Sequence, residues 1–363
     1  MLIAYHEGYL YLIKVCALFC VMVLAYSLFN HVTQGHRDIR QAKRTQKVKE
    51  LMTEYADTDP KAQEMKQEMN RILRKPMGLL ALMNALDDLG WTESTQIPNE
   101  TRWMLSDLLT ELYVTVYRKP EPYVHGMLLT LFIRCDISSS RIKARLLDYL
   151  EQPELLIRIE ALRYICAQRN RKLVQLALIR ISRKHIPFSN KLITDSLMDF
   201  KGDKHLLAEQ LWENLGKFSP EIQVSVLQML TAMEDPGHAQ QVQAILQNEK
   251  TDMEVRIAAI KYFGSVHVPE CVPVLAELLT EETWEYAAIA AKSLAAYDCS
   301  GVFAQLKKGI SSRNWYVRTN CAGAIVRGCS AQQVREALDV ADRYGRDSVQ
   351  YALNMIQKED AVV

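Results

Sequence analysis

The sequence feature that most constrains the fold is a nine-residue pattern that recurs at nearly regular intervals. "IRIEALRYI" at residues 157–165 returns as "VRIAAIKYF" at residues 255–263. Successive copies are 30 to 35 residues apart, and they begin at Tyr123, Ile157, Leu192, Ile222, Val255, Tyr286, Val317 and Ser348. A period of this length predicts an array of structural repeats.

Each copy of the pattern predicts one amphipathic helix. Counted from the first residue, positions 0, 4, 5 and 8 are mostly apolar and lie on one stripe of a helix. Position 4 often carries a small residue such as Ala161, Ala259 or Ala290, which lets a neighbouring helix approach closely. A second amphipathic segment lies between copies, as at residues 171–181, 205–215, 272–279 and 331–341. We therefore expect an all-α fold of stacked antiparallel helix pairs.

The later copies resemble HEAT repeats in their short bacterial form. The resemblance lies in D-x-x-V-R-x-x-A-x-x-x-x-G from Asp252 to Gly264, and it is echoed at Val317-Arg318 and Ile157-Arg158. Several copies lack the arginine, with Ile193, Gln223 and Ala287 in its place. The resemblance covers residues 120–357. It implies a right-handed α-solenoid over residues 76–363, with residues 76–119 as a divergent cap, and a surface for protein partners.

The amino-terminal segment predicts a transmembrane helix. Leu10 to Phe29 reads LYLIKVCALFCVMVLAYSLF, with Lys14 as its one charged residue, and twenty such residues can cross a hydrocarbon core. Residues 1–32 would then form a short outer tail and the span. A cleaved signal peptide is the alternative, but no lysine or arginine precedes Lys14 and no convincing cleavage site follows the apolar run.

Basic residues directly after this span predict its orientation. They place the amino terminus outside and the solenoid in the cytoplasm, as a single-pass protein of the inner (cytoplasmic) membrane. Residues 33–75 read as a charged juxtamembrane helical spacer, broken near Asp59-Pro60, whose basic half either touches anionic lipid or serves only as a topology signal. The membrane-proximal basic residues are Arg37, Arg40, Lys43, Arg44 and Lys47.

Charge is unevenly distributed along the repeat region. Residues 141–191 hold twelve Lys/Arg against four acidic residues, whereas residues 192–300 hold seventeen Asp/Glu against seven Lys/Arg. The resemblance implies that second helices line the concave face, so the basic block predicts a partner-binding patch there. Solvated helix faces are the alternative interpretation. The candidate patch residues are Arg171, Lys172, Arg180, Arg183 and Lys184.

The sequence shows no pattern that predicts catalysis. Phosphate-binding loops, nucleophile elbows and zinc-binding spacings are absent, and the eight cysteines are scattered without a C-x-x-C pair. We expect no catalytic residues, no metal and no cofactor. Trp284 and Trp315 occupy equivalent repeat positions. We expect them to be packing wedges between layers, with an interaction edge as the alternative.

These observations favour a membrane-anchored protein–protein interaction scaffold with a membrane-associated protein partner. Single-span bacterial proteins of this layout resemble accessories of envelope glycosyltransferases or polysaccharide export systems. Two alternatives stay open. One is a nucleic-acid-binding HEAT-like solenoid, which the acidic half and the anchor disfavour. The other is a cofactor-attachment protein similar to HEAT-type phycobilin lyases, which the span disfavours because those proteins are soluble.

Overall fold

The computed structural model describes residues 2–55, 59–118, 121–281, 283–340 and 342–360. Within its helices, the side chains of residues 2–17, 28–33, 36, 141, 340, 359 and 360 lie outside that description. The elements found across these ranges are α-helices and short 3₁₀ turns without a β-strand, so the all-α prediction is confirmed. The chain divides after Tyr164 into two compact units.

The first unit opens with a long helix and continues with shorter ones. Pro76 and Pro122 occupy the first turns of their helices, where the missing N–H costs nothing. A 3₁₀ turn at Ser94–Gln96 precedes α4. The helices are α1 (Leu2–Glu54), α2 (Ala62–Leu73), α3 (Pro76–Asp88), α4 (Asn99–Thr115), α5 (Pro122–Arg134), α6 (Ser140–Tyr149) and α7 (Leu155–Ala167), which runs past the division.

The second unit continues the alternation of first and second helices. Short 3₁₀ turns at Leu215–Lys217, Pro236–His238, Pro269–Cys271, Leu278–Thr280 and Ser300–Val302 join several of them. The helices are α8 (Arg171–Lys184), α9 (Asn190–Met198), α10 (Lys204–Glu213), α11 (Pro220–Ala232), α12 (Ala239–Gln247), α13 (Met253–Ser265), α14 (Val272–Glu277), α15 (Trp284–Leu294), α16 (Phe303–Gly309), α17 (Trp315–Gly328), α18 (Ala331–Val340) and α19 (Arg343–Asp360).

The repeat register predicted from the sequence is the register of the structure. Every copy of the nine-residue pattern begins in a first helix, namely α5, α7, α9, α11, α13, α15, α17 or α19. From α9 onward each first helix packs on the next first helix. The small residues Ala259, Ala290 and Cys321 are fully buried at these contacts, which explains why position 4 is small in most copies.

The side chain that follows position zero ties several first helices to the preceding loop. Arg158 donates to the Pro153 carbonyl at 3.2 Å, and Arg318 donates to the Arg313 carbonyl at 3.0 Å. Gln223 lacks the arginine's charge but donates to the Phe218 carbonyl at 2.9 Å. Each of these bonds reaches back five residues, so a glutamine can take over the arginine's structural role.

Arg256 occupies the same repeat position and is buried, and it reaches a carbonyl ten residues earlier in the chain. The residue is only 7% exposed, and its guanidinium donates to the Leu246 carbonyl at 2.9 Å and pairs with Glu281 at 2.9 Å. The same group lies over the Tyr286 ring, 4.5 Å from the centroid. A buried cation that meets a carbonyl, a carboxylate and a ring face is strongly fixed in position.

Buried tyrosine hydroxyls donate to backbone carbonyls of the helix pair that precedes them in the same unit. Tyr117 donates to the Leu73 carbonyl at 2.7 Å and Tyr164 to the Ile137 carbonyl at 2.6 Å. Tyr262 donates to the Asp235 carbonyl and Tyr297 to the Phe263 carbonyl. Burial raises the pKa of Tyr117 to about 12, and it also raises the pKa of the other three phenols. The hydroxyls therefore stay protonated and remain donors.

The predicted membrane span lies in the first half of α1. Among the described residues, the structure contains no helix with the length and apolar character needed to cross a membrane. Of residues 10–29, the side chains of 10–17, 28 and 29 lie outside the description. The structure gives the transmembrane helix no support, and the span stays a prediction.

The second half of α1 belongs to the packed core of the first unit. Val48, Leu51 and Met52 are buried, and the helix contacts α2 and α3. The helix ends at Glu54 and α2 begins at Ala62, which agrees with the predicted break near Asp59-Pro60. This segment therefore carries a buried apolar stripe in addition to the solvated surface expected of a spacer.

Replacing Gly328 by alanine should destabilise the second unit. The Gly328 carbonyl accepts the Cys299 N–H at 2.6 Å, and an added Cβ would overlap the Tyr297 carbonyl oxygen. Such overpacking costs about 1–3 kcal/mol. Gly323→Ala is the matched control in the same helix, because its Cβ would meet no atom within 4 Å. It should stabilise by up to about 1 kcal/mol. Urea denaturation followed by circular dichroism measures both, and equal midpoints would contradict the close approach.

Replacing Arg256 by leucine should lower the free energy of unfolding by about 2–3 kcal/mol. The substitution leaves the Leu246 carbonyl and Glu281 without their donor, and the loss stays below that of a fully buried pair because Glu281 keeps contact with water. Arg313→Leu removes an exposed arginine from the same unit and should change stability little. Thermal denaturation compares the two. A loss no larger than that of the control would mean that the Arg256 contacts contribute little.

Candidate functional site

The predicted basic patch lies on α8, the second helix of its pair. Lys172 and Arg183 are exposed and stand about three helical turns apart, so they share one face. Leu176 is exposed between them and gives this face an apolar centre. Lys184 is exposed at the end of the helix, and Arg180 is partly buried beside Arg183. The structure thus brings four of the five predicted residues to one side of α8.

Arg171 has a different role from the rest of the patch. It is partly buried, and its Nη1 donates to the Leu206 carbonyl of α10 at 3.1 Å. This bond ties α8 to the second helix of the next pair. Arg171 therefore contributes to packing, and we leave it out of the partner-binding patch tested below. Lys172, Arg180, Arg183 and Lys184 form what we call the α8 basic face.

Many charges of the acidic block also serve the fold. Asp203 and Asp252 cap α10 and α13 by accepting backbone N–H groups, and Asp235 accepts the Gly237 N–H and lies 3.3 Å from His238 Nδ1. Glu281 pairs with Arg256. N-capping carboxylates are common at helix starts for reasons of stability alone. The charge asymmetry read from the sequence thus overstates the charge that is available to a partner.

Large aromatic side chains form an exposed row on three consecutive first helices. The rings of Trp284 and Tyr316 stack with centroids 5.8 Å apart, and Trp315 meets Tyr316 edge to face at 5.0 Å. Tyr344 and Tyr351 extend the row onto α19. Trp315 is 56% exposed and Tyr344 67% exposed, so the expected packing wedges lie on the surface instead. These five residues are the aromatic row.

A groove of about 360 Å³ runs between α17 and α19 within this row. Trp315, Tyr344 and Tyr351 supply apolar walls. Arg318 and Asp347 supply charge, and the Arg318 guanidinium lies 5.6 Å from the centroid of the Tyr344 ring. Aromatic walls with a few fixed polar groups are typical of peptide-binding and protein-binding grooves. The sequence indicated only the two tryptophans, because the tyrosines fall at different positions of the repeat.

The cysteines of the described region are mostly buried and unsuited to nucleophilic chemistry. Burial raises the pKa of Cys135, Cys271, Cys299 and Cys321 to about 12, so these thiols stay protonated at neutral pH. In the same region, no three His, Cys, Asp or Glu side chains converge as a metal site requires. The absence of a metal, a cofactor and catalysis stays a prediction.

The membrane-proximal basic residues separate into two groups in the structure. Arg37 and Arg40 are exposed on α1. Lys43, Arg44 and Lys47 follow on the same helix and line a cavity of about 430 Å³ together with residues of α2 and α3. The sequence did not indicate this cavity, because its two sides come from segments about thirty residues apart.

Comparison with known proteins gives one family match and several low structural similarities. Residues 208–295 match a family model described as HEAT repeats. No curated protein sequence matches the chain. Among solved structures, Kap121p bound to Nup53p is similar at 12% identity and a TM-score of 0.47, and Kap121p bound to Pho4p at 13% and 0.43. Each alignment covers 87% of this chain and 37% of the other.

Human deoxyhypusine hydroxylase in complex with glycerol is also similar, at 17% identity and a TM-score of 0.29. That alignment covers 83% of this chain and 100% of the other. The chain spans little more than a third of the Kap121p structures it matches. The match at residues 208–295 extends from α10 to the end of α15 and includes Arg256. Residues 208–295 are therefore similar to HEAT repeats, and the helix pairs that stack in this part of the second unit fit that similarity.

Proposed function

We propose that this protein is a membrane-anchored scaffold that binds a protein partner through its HEAT-repeat surface. The aromatic row is the observation that carries the proposal. Tryptophan and tyrosine dominate the binding energy of protein interfaces, and here they lie exposed on three consecutive first helices. Contiguous exposed apolar patches on a soluble surface commonly mark interaction sites. The groove between α17 and α19 offers a partner side chain a place to insert.

The α8 basic face is a second candidate contact for the same partner. Lys172, Arg183 and Lys184 are exposed around Leu176. Exposed charges of one sign mainly accelerate and orient association, whereas buried aromatic contacts set its strength. We therefore assign affinity to the aromatic row and orientation to the α8 basic face.

We further propose that the scaffold acts at the cytoplasmic face of the inner membrane, as an accessory to an envelope glycosyltransferase or polysaccharide export system. The apolar run Leu10–Phe29 and the basic residues that follow it support the anchor and its orientation. The layout of the sequence supports the class of partner. The protein would act by binding, without a cofactor.

Nucleic-acid binding has less support than a protein partner. In the basic block, Arg158 and Arg171 are engaged with backbone carbonyls and Arg163 with Glu160. Phosphate contacts need exposed cations along a continuous track. Trp284 and Tyr316 also stack on each other, which occupies one face of each of these two rings.

Replacing Trp315 and Tyr344 together by alanine should abolish recovery of the partner. Crosslinked full-length protein would be purified from native membranes, and copurifying proteins identified by mass spectrometry. With the partner in purified form, each single substitution should weaken binding by about 2 kcal/mol, a factor of roughly thirty, because interface aromatics of this kind are hot spots. We expect the recovered protein to be a membrane glycosyltransferase or an export component.

Two further variants define which surface is used. Trp103→Ala with Tyr123→Ala removes comparably exposed rings from the first unit and should leave recovery unchanged. Charge reversal of Lys172, Arg180, Arg183 and Lys184 to glutamate should slow association more than it speeds dissociation. Recovery of the same protein by the parent and by the Trp315/Tyr344 variant would refute the aromatic row as the docking surface.

The proposed topology can be tested separately with a carboxyl-terminal tag. In sealed inverted membrane vesicles, added protease should remove the tag, because the proposed orientation places the repeats on the cytoplasmic side. An outer-face marker protein should stay protected in the same vesicles. Protection of the tag would refute the orientation, and release of the protein by alkaline carbonate would refute the anchor.

A further inference from the structure

The cavity beside α1 collects basic side chains from three segments of the first unit. Lys43, Arg44 and Lys47 project from consecutive turns of α1. Arg71 comes from α2, and Lys75 from the turn between α2 and α3. Together they line a space of about 430 Å³, within the size range of small-ligand sites. We call these five residues and the space between them the basic cavity.

The charges of the basic cavity do not balance internally. Glu68 is its one acidic lining residue, and Arg71 engages it at 2.7 Å. Lys47 lies 3.8 Å from Glu50. Lys43, Arg44 and Lys75 form no ion pair with any carboxylate among the residues described. Three cations without an ion pair around one concavity make the local potential positive, although Lys43 also lines a neighbouring cavity with Asp38, Asp87 and Asp88.

The backbone between α2 and α3 holds one wall of the cavity in place. Gly78 lies so close to the Ile72 carbonyl that a Cβ would overlap it. The Lys75 carbonyl accepts the Gly78 N–H at 2.8 Å and the Leu79 N–H at 3.3 Å. The opposite wall is α1, fixed by the buried Val48 and Leu51. Because both walls are anchored, the backbone positions that carry these cations are fixed around the cavity.

The lining also includes an apolar element. Ile72 and the Gly78 backbone contribute uncharged surface beside the five cations. A ligand that carries phosphate on an organic group would meet both kinds of surface. Arginine and lysine together are the usual partners of phosphate oxygens, with arginine binding two oxygens at once and lysine acting as a point charge.

We propose that the basic cavity binds a phosphate-bearing ligand with at least two negative charges, such as a phosphomonoester or a diphosphate. Two sources share this chemistry, the headgroup of an anionic lipid and a soluble phosphorylated molecule. The inference is independent of the aromatic row, because it rests on a different unit and shares no residue with it. Failure of either proposal therefore leaves the other standing.

The test uses inorganic pyrophosphate as the probe. The full chain, purified in a non-ionic detergent, would be titrated with pyrophosphate in a calorimeter. The parent should bind, and binding should weaken as sodium chloride rises. Replacing Lys43, Arg44 and Lys75 by glutamine should weaken binding roughly a hundredfold or more, because several charge-assisted hydrogen bonds are lost together.

Two variants control for net charge and for folding. Lys201, Lys250 and Lys308, each exposed in the second unit, would be replaced by glutamine to remove the same charge elsewhere, and binding should persist. Lys43→Gln with Lys75→Gln leaves the partly buried Arg44 in place and should still weaken binding at least tenfold. Circular dichroism of every variant should match that of the parent.

Vesicle flotation separates the two ligand sources. Parent and variants would be mixed with vesicles of phosphatidylcholine alone or of phosphatidylcholine with phosphatidic acid. Preference for phosphatidic acid that the cavity variant loses, without pyrophosphate binding, identifies a lipid headgroup. Pyrophosphate binding without that preference identifies a soluble ligand, and both together leave either source able to occupy the cavity. No response of the parent to either probe, or equal responses of the cavity variant and its charge control, would overturn the proposal.

Discussion

The structure depends on the inability of one helix pair to bury its own apolar stripe. From α9 onward each first helix covers its stripe by packing on the next first helix, and Ala259, Ala290 and Cys321 keep the contacting helices close. The nine-residue pattern therefore reflects the contacts that each first helix makes with its neighbouring first helices. The same arrangement leaves side chains exposed at the starts of α15, α17 and α19. Four residues of the aromatic row, Trp284, Trp315, Tyr316 and Tyr344, lie at these helix starts, and Tyr351 lies further along α19.

The hydrogen bonds from the residue after position zero to a preceding backbone carbonyl show how the stacking tolerates changes in sequence. Arg158, Arg318 and Gln223 all reach the carbonyl five residues before them, although their side chains differ in charge and length. What the fold requires at this position is a donor of sufficient reach, because the acceptor is a backbone carbonyl present in any sequence. Strict matching to a family pattern consequently understates how regular the structure is, and the family model matches only residues 208–295.

The sequence predicted the first helices and their register well, because the 0, 4, 5, 8 stripe is a local property of the chain. It predicted surfaces poorly. The tryptophans were expected as wedges, yet both are exposed, because exposure depends on which side chains of neighbouring helices cover a position, and the periodicity does not encode that. Arg171 was expected in the patch, yet its bond is to a carbonyl on the next second helix. Val48, Leu51 and Met52 are spaced three and four residues apart, which is the spacing of a buried helix stripe. The many charged residues around them led instead to the prediction of a solvated spacer.

The tyrosine ties within each unit have a mechanical consequence. A stack held only by apolar contacts can shear, because those contacts are non-directional and sliding one apolar surface over another costs little free energy. A directional hydroxyl–carbonyl bond penalises such sliding, because a displacement of about an ångström breaks it and strands a buried polar group. Tyr117, Tyr164, Tyr262 and Tyr297 thus act as pins between layers. Under tension each unit should therefore extend little until these hydroxyl–carbonyl bonds break, and it should then extend abruptly.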